Sequence, residues 1–241
     1  MRSSNPILKP EVFSQAGAYT SSDTMTVKGT IDKTFVLLCL LVVGAGLVWG
    51  QPIRFLPWAM PAAIIGFILA LITTFKRDWA PVTAPLYAFA EGIVVGWISS
   101  LMEQRFPGIV VQAVLLTFGT LFSLLALYRS GIIKVTQQFR MMIVGATMAI
   151  MLVYVASMVM GMFGKTIPLI NEAGPVGIIF SLIVVGVAAL NLVLDFDFIE
   201  QGSKMNAPRY MEWYAGFGIM VTLIWLYLEI LRLLAKLGSR R

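Results

Sequence analysis

The chain is a succession of long apolar runs joined by short polar connections. Seven runs stand out, over 34–50, 55–75, 81–101, 109–128, 141–163, 175–196 and 214–234. A helix of about 20 apolar residues crosses a bilayer, so each run is long enough to span, the first only marginally. None shows the short alternating segments of a membrane barrel, and only helices and closed barrels satisfy backbone polar groups in lipid. Pro52, Pro57, Pro107 and Pro175 stand near run starts, where a missing N–H is tolerated. No internal repeat is evident, which argues against an inverted-repeat transporter. The pattern predicts an all-α integral membrane protein with seven transmembrane helices. It divides into a flexible cytoplasmic arm over 1–33, a transmembrane domain over 34–237 and a short basic tail over 238–241. The polar arm lacks the apolar core and small-residue cleavage site of a secretory signal, so the first run reads as an uncleaved signal anchor.

Composition agrees. The chain of 241 residues is 59% hydrophobic and only 12% charged, where soluble domains carry about 25% charged residues. The single cysteine, Cys39, excludes an internal disulfide and a thiolate metal site. The absence of histidine excludes imidazole ligands and histidine catalysis, and leaves any pH response near neutrality to carboxylates. The net charge of +6 does not indicate nucleic acid, because the basic residues lie beside the runs and set topology. The arm and the connections after runs two, four and six hold 11 Lys and Arg, whereas the opposite connections hold only Arg54, Arg105 and Lys165. The positive-inside rule then places the N-terminus in the cytoplasm. Arg232, Lys236, Arg240 and Arg241 lie on the far side if the last run spans. Its length and lack of a central breaker favour spanning, while Gly216 and Gly218 keep a re-entrant path open.

Against this background, Glu91, Asp195, Asp197 and Glu229 carry the candidate chemistry. An acid at a helix centre costs about 2.5–3.5 kcal/mol on insertion scales, and it marks an ion or proton path by default. Glu91 lies mid-run beside Gly92 and Gly96, a small-xxx-small pair that allows close helix approach. It reads either as a cavity-lining acid or as a protonated side chain bonded to a neighbouring helix. Asn191 stands one turn before Asp195 on the same face, so Asp195 is expected to look inward. Asp197 points elsewhere and reads as interfacial, as does Glu212. Glu229 has Arg232 three residues on, within reach of an intrahelical ion pair. Lys76 and Arg77 are either topology signals or a counter-cation for an inward acid. The tryptophans form an interfacial belt, and the methionines of the fifth run read as packing.

The stretches YAFAEG (87–92), LVLDFDFIEQ (192–201) and LYLEILRLL (226–234), with the opening MRSSNP, resemble the Bax-inhibitor family, most closely its bacterial YccA-like branch. The resemblance covers all seven runs. It implies six helices around a central seventh, and a hydrogen-bonded pair of acids on the last two helices that controls a pH-sensitive calcium leak. Asp195 matches the first acid and Glu229 the second, where the family usually carries Asp. Lys76 or Arg77 matches a basic residue near that pair. On this reading Asp195 and Glu229 hold calcium transiently. The two acids meet only if 202–216 is interfacial and the last span begins near Gly216–Gly218, because a helix from Tyr210 carries Glu229 about 28 Å from its start.

The expectation is thus a pH-sensitive cation (calcium) leak of a bacterial inner membrane. Its partners are lipid and calcium or protons, with no cofactor and no nucleic acid. The alternatives are a proton-coupled transporter, or a non-transporting regulator that binds a membrane quality-control protease or another membrane protein. No GxSxG or HExxH motif supports an enzyme.

Overall fold

A computed structural model describes residues 24–164 and 174–239. Seven helices occupy these residues: α1 (Val27–Val48), α2 (Pro52–Phe75), α3 (Ala80–Arg105), α4 (Ile109–Arg129), α5 (Gln137–Met162), α6 (Pro175–Lys204) and α7 (Met211–Gly238). A 3-10 turn, Arg77–Trp79, joins α2 to α3. All seven segments are long and apolar enough to cross a membrane. The protein is therefore an all-α, multi-pass membrane protein. Its outward side chains agree, with Ile53, Phe75 and Met162 each more than 80% exposed. Such surface suits acyl chains and not water.

Most helices extend a few residues beyond the apolar runs, and three boundaries change the reading. Helix α1 begins at Val27, inside the stretch read as arm, because Thr26 caps it: the Thr26 hydroxyl accepts from Gly29 N at 2.9 Å. Helix α6 runs past 196 to Lys204, since Ile199 and Gly202 are buried and Gly202 abuts the Met25 sulfur. Helix α7 begins at Met211, not near Gly216–Gly218. Both glycines are interior helical positions, and α7 continues through them to Gly238. The rest of the expected arm, residues 1–23, lies outside the described residues, as do 240–241 of the tail.

The small residues set the closest approach. A Cβ on Gly92 would fall 2.3 Å from the Leu41 carbonyl oxygen, and one on Gly96 would fall 2.5 Å from Ala45 Cα. From the other side, a Cβ on Gly44 would meet the Phe89 carbonyl at 2.5 Å. The Gly92/Gly96 pair thus presses α3 against α1, as small-xxx-small pairs do in lipid. Helix α7 packs on α1, α3, α4 and α6, and it carries the longest series of buried side chains, from Glu212 to Lys236. The pairing of Tyr87 with Phe217 and of Ser99 with Tyr227 makes α3 and α7 parallel, while Arg140–Asp197 and Thr147–Asn191 make α5 and α6 antiparallel.

Candidate functional site

The informative region is the antiparallel interface of α6 and α7. On α7, Thr222, Glu229 and Lys236 recur every seven residues and so share one face. On α6, Ser181, Ala188 and Asp195 recur in the same way. Lys236 Nζ donates to Ser181 Oγ and to the Gly177 carbonyl, both at 2.9 Å. The Asp195 carboxyl faces the Thr222 hydroxyl. These two contacts fix the register and leave small, fully buried Ala188 opposite Glu229.

The register decides the fate of the expected acid pair. Asp195 and Glu229 do not meet. Thr222, the neighbour of Asp195, is seven residues from Glu229, or about 10 Å along the helix. Because α7 starts at Met211 and stays helical, no rearrangement of 202–216 brings the acids level. Glu229 is buried at 2% exposure and held elsewhere. Its carboxylate accepts from Tyr154 Oη at 2.8 Å and from Arg232 Nη1 at 2.9 and 3.0 Å, and the same nitrogen donates to Tyr154 Oη at 2.7 Å. The expected Glu229–Arg232 ion pair is therefore present, with a tyrosine of α5 as third member. A buried charge is stable when paired and fully hydrogen-bonded, and this one is.

Asp195 is the opposite case. Its Oδ2 is buried and has no hydrogen-bond partner. Asp195 lies nine residues from the end of α6 at Lys204, about 14 Å in along the axis. The flanking side chains Leu192, Phe196, Ile219 and Leu223 are all buried. Thr222 donates its single hydroxyl proton to the Gly218 carbonyl at 3.1 Å. In that state its oxygen can only accept, which suits a protonated Asp195. An ionised Asp195 would draw the hydroxyl away from Gly218. The site can therefore exist in two hydrogen-bonded arrangements that differ by one proton.

The other expected residues fall elsewhere. Asn191 donates to Thr147 Oγ1 at 2.8 Å and to the Val187 carbonyl at 2.9 Å, joining α6 to α5 instead of lining a space with Asp195. Asp197 forms an ion pair with Arg140 at 2.7 Å and accepts from Gln201 at 2.6 Å, so it is a tethered acid and not a merely solvated one. Glu91 is half-buried between α3 and α2, 3.3 Å from where a Gly66 Cβ would stand. Lys76 and Arg77 are not counter-cations for Asp195. Both are exposed on the turn after α2, Lys76 over Trp79 and Arg77 over Tyr214. Glu212, in the first turn of α7, is buried against the start of α1, accepting from Thr26 N at 3.0 Å and Thr26 Oγ1 at 2.9 Å. A carboxylate at the start of α1 is favoured by the helix dipole. No group of three or more His, Cys, Asp or Glu able to hold a metal ion occurs among the described residues.

Tyr154, Thr222, Ser181 and Lys236 did not emerge from the sequence as site residues. The seven-residue spacing of Thr222, Glu229 and Lys236 was the available signal, since polar positions at that period in an apolar helix mark one shared face.

The sequence model of the family described as Bax inhibitor 1 like matches residues 5–239. The chain belongs to this family. No curated protein and no solved structure matches it. The family match covers all seven helices of this member.

Proposed function

We propose that this Bax-inhibitor family member is a pH-sensitive cation leak, passing calcium, in which Asp195 is the protonation switch. The observation that carries the reading is the buried, unpartnered Asp195 Oδ2 at the α6–α7 interface. An unpaired acid within a transmembrane helix is retained for ion or proton movement far more readily than for stability. Protonated, Asp195 is neutral and donates toward Thr222, which holds α6 against α7. Ionised, it is an uncompensated charge in an apolar surround. A cation can relieve that charge, and calcium prefers carboxylate and carbonyl oxygens. Flux is therefore expected to rise as Asp195 loses its proton, that is, with rising pH.

The remainder of the seam qualifies the pathway. Glu229 is already neutralised by Arg232, and Lys236 adds a buried cation beyond it. A positively charged end opposes cation passage, as basic side chains do in selective pores. The reading is thus of a slow leak and not an open channel. Asp195, and not Glu229, is the transient calcium ligand. The same reading places the protein in a bacterial inner membrane with its N-terminus in the cytoplasm, arranges the other helices about α7, and assigns it no catalytic step. The test is calcium entry into proteoliposomes over a series from about pH 5.5 to about pH 8, spanning protonated and ionised carboxyl states. Entry above that of empty liposomes, rising with pH, supports a leak. Entry indistinguishable from empty liposomes at every pH rejects it.

A further inference from the structure

At the end of the bundle where α3 and α7 terminate, a cavity of about 360 Å³ opens between these helices. Arg105, Arg232, Lys236 and Ser239 provide its polar lining, while Ile98, Met102 and Leu231 provide part of its apolar wall. The carboxylates near this end are occupied. Glu229 is bonded to Tyr154 and Arg232, and Glu103 accepts from Gly108 N at 2.6 Å and from Val110 N at 3.1 Å. Among the described residues Arg105 forms no ion pair; its guanidinium lies 5.7 Å from the Phe106 ring centre. Lys236 is only 6% exposed, and its two bonds go to a neutral carbonyl and a neutral hydroxyl. The terminal carbonyls of α3 and α7 offset part of this positive charge. Three cations (Arg105, Arg232, Lys236) against the two carboxylates of Glu229 and Glu103 still leave this end net positive.

The geometry points to a binding site for the phosphate group of an anionic phospholipid, with Arg105 on the headgroup, Lys236 adding buried positive charge beside it, and the apolar wall along the first part of an acyl chain. A lipid is the occupant because charge and apolar surface share one cavity at a helix end, the depth at which headgroups lie, and guanidinium and ammonium groups form strong charge-assisted hydrogen bonds with phosphate. Arginine suits phosphate through its planar fork of donors. The site is separate from Asp195 and does not depend on the leak.

The test uses the full chain in mild detergent, titrated with dioleoylphosphatidylglycerol, with dioleoylphosphatidylcholine and with sodium phosphate, bound lipid being counted by native mass spectrometry. Tighter binding of phosphatidylglycerol than of phosphatidylcholine is expected. Arg105→Gln should weaken the anionic lipid about five- to tenfold, the worth of one charge-assisted contact near a membrane surface. Arg105→Lys should retain most of it, and Lys134→Gln, an exposed change at the other end of the bundle, should leave it unchanged. Arg105 is exposed, so its variants should fold even if a second variant, Lys236→Gln, does not. Equal binding of the two lipids, no effect of Arg105→Gln, or an equal loss in Lys134→Gln would overturn the proposal. Displacement of phosphatidylglycerol by sodium phosphate at matched concentration would do so too, by assigning the cavity to the free anion.

Discussion

Two acids of the α6–α7 interface behave differently because of their neighbours. Glu229 has a guanidinium and a phenol, so its charge is compensated and its role is to hold α5 against α7. Removing one partner of such a pair leaves an uncompensated charge, typically a loss of about 3–5 kcal/mol when both members are buried. Arg232 is 40% exposed, so Arg232→Gln should cost less, about 2–3 kcal/mol. The double change Glu229→Gln with Arg232→Gln should recover much of the loss. Denaturant unfolding of the two variants beside the native protein checks this; a double variant no more stable than Arg232→Gln would remove the ion pair from the account. Thr222 is the matching residue for Asp195. Thr222→Val keeps shape but deletes the hydroxyl, and should flatten the pH response of flux while leaving the fold intact.

At the scale of elements, glycine and register do most of the shaping. The α1–α3 contact tolerates nothing larger than hydrogen at Gly92, where an added Cβ would stand 2.3 Å from a carbonyl oxygen. Gly92→Ala should destabilise by about 1–3 kcal/mol, as overpacking does. Gly218→Ala, with open space around it, should be neutral or slightly stabilising through helix propensity. Thermal melts of the two variants in one detergent provide the comparison, and equal shifts would contradict the close approach. The helices themselves were legible in the apolar runs, because length and hydropathy are local properties. Their ends were less so: the cap at Thr26 and its bond to Glu212 join residues 186 apart. The acid pair failed for a related reason. A motif places Asp195 and Glu229 on adjacent helices, but only the register, fixed by Ser181–Lys236 and Asp195–Thr222, says which turns are level.

At the scale of the whole molecule, the account requires an odd number of crossings. If all seven candidate spans cross, Val27 and Gly238 lie on opposite sides of the membrane. Fusions carrying a cytoplasm-dependent reporter at either end should give opposite signals, with the N-terminal fusion active, and equal signals would require one helix to return without crossing. Seven-helix architecture and family could be read from the sequence, since apolar runs and the stretches over 87–92 and 192–201 suffice for both. The proposed switch could be read only in part: Asp195 stood out as an acid in an apolar run, whereas the absence of any partner for its Oδ2 is a property of packing. The most direct measurement is calcium flux in proteoliposomes for the native protein beside Asp195→Asn, at acidic and at mildly alkaline pH. Asparagine keeps the shape but cannot ionise, so flux should lose its rise with pH and stay at the low-pH level. A variant whose flux still follows pH as the native protein does would contradict Asp195 as the switch.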